Sequence, residues 1–135
     1  MPFTSTRATG SSAAVVHVLR AIGIDVTRVS RTPSAPGDIA YTDISREGLA
    51  ATPLLVNCTP VGMHPSVDGI PPLSEAALTG FGPQHFVVDL IYNPRETALM
   101  TRASALGART LDGFSMLQLQ ADAAWEIWTG DAATQ

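Results

Sequence analysis

The stretch from Gly10 to Thr32 constrains the fold more than any other part of the sequence. It contains four apolar residues at the i, i+3, i+4, i+7 spacing of one helix face, namely Val15, Val18, Leu19 and Ile22. Ser11 or Ser12 can cap the start of this helix, and Gly23 fits the position just after its end. The β-branched run 26–29 then predicts a short strand. Helix, tight link and strand in this order form the α–β half of a βαβ unit.

The residues directly after this strand are suited to bind a phosphate group. Ser30, Arg31 and Thr32 follow the run, and Pro33 ends it. In βαβ units that bind dinucleotides, an acidic residue at about this place holds the ribose 2′-hydroxyl of NAD, whereas an arginine accommodates the 2′-phosphate of NADP. Because Arg31 stands between two hydroxyl side chains and no acid occupies the place, the stretch favours NADP. An exposed arginine in an ordinary loop fits the same residues equally well.

The segment before the helix fits this unit poorly. A central parallel strand is buried on both faces and is typically rich in Val, Ile and Leu, but residues 1–7 hold one Phe, one Pro and several hydroxyl side chains. We therefore predict a weak or missing first central strand. Only Gly10 matches the G-x-G-x-x-G pattern, and side chains at Arg7 and Thr9 should crowd a pyrophosphate, unless Arg7 pairs with it. Gly10 and Ser11 are the candidates for holding it.

The remainder of the chain alternates predicted strands and helices. Strands are predicted at 54–56 and 86–91, and helices at 96–106 and from the cap Ser115 to Gly130. Trp125 and Trp128 are predicted to pack in the core. The polar loop 57–63 follows a buried strand, as ligand-binding loops do in open α/β folds, although an ordinary exit from a strand has the same composition. The predicted fold class is α/β, a Rossmann-like parallel sheet flanked by helices.

Composition narrows the classes of partner. The formal net charge of −4 argues against nucleic acid, and no apolar run approaches the roughly 20 residues that span a bilayer. The single cysteine, Cys58, allows no disulfide framework, and the three histidines lack the spacing of a metal site. We expect a cytoplasmic protein without a metal. At 135 residues we expect a single domain, 1–135, with a loose tail at 131–135.

Four motifs, taken together, resemble the shikimate dehydrogenase family in their order and spacing. They are residues 30–32, 57–63, 89–94 with Thr97, and 112–117 with Gln120. The similarity runs from about Ala8 to Gly130, so residues 1–7 do not match. The resemblance implies the NADP-binding domain of the family, whose reaction is reversible hydride transfer between NADPH and 3-dehydroshikimate in chorismate and aromatic amino-acid biosynthesis.

The resemblance also implies roles for individual positions. Ser30, Arg31 and Thr32 match a clamp on the 2′-phosphate of NADP, with Ser in place of the family's Asn. Asn57 and Thr59 match the loop beside the two riboses of the cofactor. Two further positions match residues near the nicotinamide ring, Gly113 and Met116. Two others match residues that reach shikimate, Tyr92 and Gln120, although Gln120 fits a satisfied core amide equally well.

The sequence also departs from the family. Family members carry an N-terminal substrate domain with a catalytic Lys and Asp, which the 135 residues do not contain, and the chain has no lysine at all. No catalytic residue is therefore assigned, and whether the chain is an enzyme stays open. We expect it to be inactive alone, and to meet shikimate only if a substrate domain is supplied in trans. The alternative is a non-enzymatic truncated fragment or an interaction module on a Rossmann-like scaffold.

Overall fold

The computed structural model describes residues 2–6 and 11–130, with the backbone alone at 2–6, 11, 116, 117 and 120. The strands are β1 (Pro2–Thr6), β2 (Asp25–Ser30), β3 (Ile39–Ala40), β4 (Leu54–Asn57), β5 (Phe86–Asp89) and β6 (Arg109–Leu111). The helices are α1 (Ser11–Ala21), α2 (Arg46–Ala50), α3 (Glu75–Leu78), α4 (Ala98–Ala105) and α5 (Gly113–Thr129), with a 3₁₀ turn at Tyr41–Asp43. The strands pair in parallel in the order β3-β2-β1-β4-β5-β6. The predicted α/β, Rossmann-like class is confirmed.

The prediction of a weak or missing first strand is wrong. The backbone of β1 pairs with β2 on one side and with β4 on the other, and Phe3 is in register with Val26 and Leu54. Composition alone did not indicate this strand, which forms because its backbone pairs with two neighbouring strands. Pro2 stands at the first strand position, where a missing N–H is tolerated. The predictions for Arg7, Thr9, Gly10 and the tail 131–135 lie outside the described residues.

Two apolar clusters lie on opposite faces of the sheet, because successive strand residues point to opposite sides. The larger cluster joins Leu55 of β4 and Val87 of β5 to α2, α3 and α4, and includes Leu49, Leu78, Leu99 and Ala103. The smaller one contains Val56 and Cys58, packed by Val15 and Leu19 of α1. Burial of apolar surface on both faces holds the carboxyl ends of the strands in place.

The predicted apolar face of α1 is wrong at two of its four positions. Val15 and Leu19 pack on the smaller cluster, and Val16 is buried beside them. Val18 and Ile22 are instead 57% and 67% exposed. The helix contacts the sheet through a narrower stripe than the spacing predicted.

The other elements are close to the predicted ones but differ at their ends. The strand predicted at 86–91 ends at Asp89. The side chain of Asp89 accepts a hydrogen bond from the N–H of Ile91, just beyond the end of the strand. The helix predicted at 96–106 spans Ala98–Ala105. Asp112, not Ser115, caps α5, because the Asp112 carboxylate accepts the N–H of Ser115 at 3.1 Å. Gly130 ends α5 in the left-handed region, as predicted.

The prediction that Trp125 and Trp128 pack in the core is wrong. Trp125 is 63% exposed and Trp128 is 81% exposed, and Leu119 and Ile127 of the same helix are also exposed. The apolar residues of this half of α5 meet little of the described sheet. None of the described helices is both long and apolar enough to cross a membrane.

These two tryptophans, which are the only ones in the chain, give a direct test of the exposure of α5. We expect acrylamide to quench the fluorescence of the folded protein almost as efficiently as that of the urea-unfolded protein. The emission maximum should also move little on unfolding, because water already surrounds both rings. A blue-shifted emission that resists quenching would show that α5 is covered in solution.

Candidate functional site

The strand order brings four chain segments to one edge of the sheet. The order β3-β2-β1-β4-β5-β6 is that of a dinucleotide-binding sheet, in which ligands bind outside the carboxyl ends of the strands, where the strand order reverses. The reversal lies between β1 and β4. The segments after β2, β4, β5 and β6 therefore meet there, and these are the segments that carry the four sequence motifs.

A cleft of about 250 Å³ at this edge contains three of the residues predicted to bind the cofactor. It is lined by Ser30, Arg31, Tyr41, Thr59, Pro60, Val61 and Pro72. Arg31 and Thr59 come from loops after different strands, so the fold brings into one cleft two residues that are far apart in the sequence. Four wall residues were not predicted, namely Tyr41, Pro60, Val61 and Pro72, and only the position of 57–63 after a strand gave a signal for Pro60 and Val61.

Two arginines of the β2 region differ in their partners. Arg28 donates two hydrogen bonds to Asp38, from Nε to Oδ1 at 2.9 Å and from Nη2 to Oδ2 at 3.2 Å. Arg31 is exposed and pairs with no carboxylate of the described residues. Ser30 Oγ accepts the backbone N–H of Thr32 at 3.1 Å, which folds the loop around Arg31. Among the described residues, no carboxylate therefore competes with a ligand for the guanidinium of Arg31.

The Arg28–Asp38 pair secures the loop that carries Arg31. Burial acts to raise the pKa of Asp38, but the hydrogen bonds from Arg28 and from the N–H of Ala35 outweigh it and hold that pKa below its usual value. Asp38 is therefore ionised at neutral pH. The ionised pair closes the connection between β2 and β3.

A buried hydrogen-bond network links the ends of β4 and β5. Asn57 is 0% exposed, and its Nδ2 donates to Asp89 Oδ1 at 3.1 Å. Asn57 Oδ1 accepts both the N–H and the hydroxyl of Thr59, at 3.1 and 2.7 Å. Thr59 Oγ1 in turn accepts the N–H of Val61 at 3.3 Å. The side chain of Asn57 is therefore committed inside the protein, whereas Thr59 reaches the cleft wall.

Asp89 is the centre of this network. Besides Asn57, it accepts the N–H of Ile91 at 3.1 Å and the hydroxyl of Thr97, the cap of α4, at 2.8 Å. Burial raises the pKa of Asp89, and the hydrogen bonds from Thr97, Ile91 and Asn57 offset this only in part. One carboxylate thus fixes the exits of two adjacent strands.

Tyr92 lies in the segment after β5 and is 54% exposed. The carbonyl of the next residue, Asn93, accepts the N–H of His64 at 2.9 Å. This bond joins the segment of Tyr92 to the end of the loop after β4. The ring of Tyr92 is accessible to a ligand that enters from the carboxyl edge.

Gly113 is buried where α5 meets the exit of β5. Its N–H donates to the carbonyl of Ile91 at 3.0 Å, and a Cβ built on it would collide with the carbonyl group of Leu90. The contact fixes the first turn of α5 against the site. The side chains of Met116 and Gln120, predicted to reach the nicotinamide and the substrate, are not described; their backbone lies in this helix.

The start of α1 fits the phosphates of a dinucleotide. Ser12 is 2% exposed, and its Oγ has no hydrogen-bond partner among the described residues. A buried hydroxyl without a partner is costly, and a helix N-terminus offers N–H groups to an anion. Ser11 begins this helix, and its side chain is not described. The sequence singled out Gly10 and Ser11 and named Ser12 only as a cap.

Comparison with known proteins finds sequence similarity to shikimate dehydrogenases. No family model matches the sequence. The chain is 46% identical over 80 residues to a shikimate dehydrogenase (NADP⁺) of Desulforamulus reducens, covering 59% of this chain and 26% of that protein. It is 36% identical over 136 residues to the enzyme of the same name from Methanosarcina acetivorans, covering 90% of this chain and 47% of that protein.

The fold comparison agrees with the sequence comparison. A solved shikimate 5-dehydrogenase of Thermus thermophilus, in complex with NADP(H) and shikimate, superimposes with a TM-score of 0.79 at 30% identity. The match covers 97% of this chain and 50% of that one. The chain spans at most about half the length of these relatives. By sequence and by fold, the chain is similar to the C-terminal, NADP-binding part of shikimate dehydrogenases.

Proposed function

We propose that this chain binds NADP(H) at the carboxyl edge of its sheet, as the cofactor-binding part of a shikimate dehydrogenase-like oxidoreductase. The observation that carries the proposal is the exposed Arg31, without a carboxylate partner in the described residues, in one cleft with Ser30 and Thr59. A guanidinium donates several hydrogen bonds in a plane and suits a phosphate dianion. The relatives above are named as enzymes that use NADP⁺.

The cofactor would extend along the edge from β2 to β6. Arg31 would hold the 2′-phosphate, with the hydroxyls of Ser30 and Thr32 beside it. Thr59, which lines the same cleft, would face the ribose next to this phosphate. The first turn of α1, with Gly10, Ser11 and the buried hydroxyl of Ser12, would receive the pyrophosphate.

The reacting end of the cofactor would lie near the start of α5. Gly113 and Met116 would border the nicotinamide ring, and Tyr92 and Gln120 would contact shikimate or 3-dehydroshikimate. NADPH supplies the hydride when it is bound, and the residues of this chain orient it. The chain has no lysine, so a lysine that moves the accompanying proton would belong to a substrate-binding part outside these 135 residues. We also propose that residues 1–135 form a single domain and that the protein is cytoplasmic.

Exchanging Arg31 for alanine tests the phosphate clamp. We expect the wild-type chain to bind NADPH more tightly than NADH, as measured by titration of nicotinamide fluorescence. R31A should weaken NADPH binding by about ten- to a hundredfold, the worth of one or two hydrogen bonds to a charged group. NADH binding should change little, because NADH lacks the 2′-phosphate.

Arg20 provides the matched control. It is an exposed arginine at the end of α1, on the opposite edge of the sheet, so R20A changes the net charge equally without touching the cleft. R20A should retain the preference for NADPH. Equal wild-type affinities for the two cofactors, or equal losses in R31A and R20A, would refute the proposed function.

A further inference from the structure

We propose that Asn57 is a positioning residue: without touching the cofactor, it holds the cleft wall formed by Thr59 and Val61, with Asp89 as its anchor. The inference deepens the proposed function and rests on it. It reassigns Asn57, because the resemblance placed this residue among those that border the riboses of the cofactor.

The burial of Asn57 supports this role. Its side chain is 0% exposed, whereas Thr59 and Val61 line the same cleft as Arg31. A ligand in the cleft therefore meets the residues that Asn57 holds. The effect of Asn57 on cofactor binding has to pass through those residues.

The direction of each hydrogen bond defines the anchor. Asp89 Oδ1 accepts two donors, Nδ2 of Asn57 and the N–H of Ile91, so the amide of Asn57 can be oriented in one way only. Its carbonyl oxygen then points to Thr59 and accepts two hydrogen bonds there. The Thr59 hydroxyl, having donated its proton to Asn57, is left as an acceptor for Val61. The polarity of the wall is thus set from Asp89 outward.

The carboxylate of Asp89 is itself fixed from the opposite side. Its other oxygen accepts the hydroxyl of Thr97, which also accepts the N–H of Met100 in the first turn of α4. The wall of the cofactor cleft is therefore tied to the rigid start of a helix on the sheet. Loss of the Asn57 donor should loosen residues 59–61 and leave the rest of the sheet in place.

The decisive variant is N57D, which keeps the acceptor toward Thr59 and replaces the donor toward Asp89 by a second carboxylate. Two ionised carboxylates at about 3 Å repel one another, so the pair takes up a proton as the pH falls and then regains one donor. At about pH 8 we expect NADPH affinity at least about tenfold below wild type, and at about pH 6 a clearly smaller loss. The other partners of Asp89, from Thr97 and Ile91, are uncharged and do not titrate.

The double variant N57D/D89N reverses the pair. The amide of the new Asn can donate to the new Asp and accept the hydroxyl of Thr97 with its oxygen. Of the hydrogen bonds to Asp89 given above, that from the N–H of Ile91 is then lost. We expect it to regain most of the NADPH affinity that N57D loses at about pH 8, and to show the pH dependence of wild type. Amide exchange at Thr59 and Val61 should be fast in N57D and slow in the double variant.

The amide exchange separates positioning from a simple charge effect on the cofactor, which would not open these two amides. H85L is the control for lost stability, because His85 is fully buried and bonded to Gly82 and Leu49, away from the cleft. H85L should lower stability and leave NADPH affinity unchanged. A double variant that binds no better than N57D, or slow exchange in N57D, would overturn the inference alone. A wild-type chain that binds no NADPH would overturn the proposed function and the inference with it.

Discussion

Replacing Gly113 by alanine is expected to lower the free energy of unfolding by about 3 kcal/mol or more, at the upper end of what overpacking costs. The added methyl group would collide with the carbonyl group of Leu90 and approach the carbonyl carbon of Ile91 at 2.8 Å. Neither neighbour is a side chain that can turn away, since both are backbone at the exit of β5. The helix start or the strand exit has to move, which also breaks the bond from Gly113 N–H to Ile91.

Urea denaturation followed by far-UV circular dichroism measures this effect. G48A is the control, because Gly48 lies inside α2 and its new methyl group would meet only the hydroxyl oxygen of Ser45, at 3.3 Å. Alanine also favours a helix over glycine by about 1 kcal/mol, so G48A should be tolerated. If G113A unfolded at the same urea concentration as wild type, the close contact between α5 and the exit of β5 would be absent in solution.

The position of Gly113 also illustrates how far the sequence leads. The resemblance placed Gly113 near the nicotinamide ring, and the structure gives a steric reason for a glycine there that holds without any cofactor. The motif could therefore be recognised from the sequence alone. The physical reason for its glycine, however, is how closely two backbone segments approach each other in the folded chain. Nothing in residues 112–117 taken alone shows that approach.

Strands with a strong local pattern were predictable, and those that depend on partners were not. Leu54–Val56 and Val87–Val88 are apolar runs, and the sequence alone predicts a buried strand at each. Residues 2–6 have no such run, and their strand exists because β2 and β4 offer hydrogen bonds on both sides. The prediction for Trp125 and Trp128 failed for the same reason. An apolar helix face indicates that its burial would be favourable, but not whether another part of the chain packs against it.

The candidate residues of the site were predicted from motifs, whereas the hydrogen-bond network beneath them was not predicted. Asn57 and Thr59 belong to one motif and Asp89 belongs to another. Asn57 and Asp89 are 32 positions apart in the sequence. Only the adjacent, parallel pairing of β4 and β5 places Asn57 directly beside Asp89. A buried carboxylate with three donors is a tertiary feature, so the sequence could mark Asp89 as part of a motif but could not assign it a role.

Asp89 is the residue whose loss should affect this network most. In D89L, three buried donors lose their acceptor, namely Asn57 Nδ2, the N–H of Ile91 and the hydroxyl of Thr97. At about 1 kcal/mol or more for each unsatisfied donor, we expect a loss of about 3 kcal/mol or more in the free energy of unfolding. The measurement is a urea denaturation curve at neutral pH.

D89N separates the hydrogen bonds of Asp89 from its charge. Its amide oxygen can still accept from Asn57 and Ile91, so only the bond from Thr97 is lost, and we expect D89N to be clearly more stable than D89L. Because burial raises the pKa of Asp89 above 3.8, the folded wild-type protein binds this proton more readily than the unfolded chain. The contribution of Asp89 to stability therefore rises as the pH falls through its folded pKa, and declines as the pH rises. D89N cannot titrate at this position, so it should lack this gain as the pH falls toward 3.8. Equal stability of D89N and D89L would mean that the amide oxygen does not replace the carboxylate as the acceptor for Asn57 and Ile91.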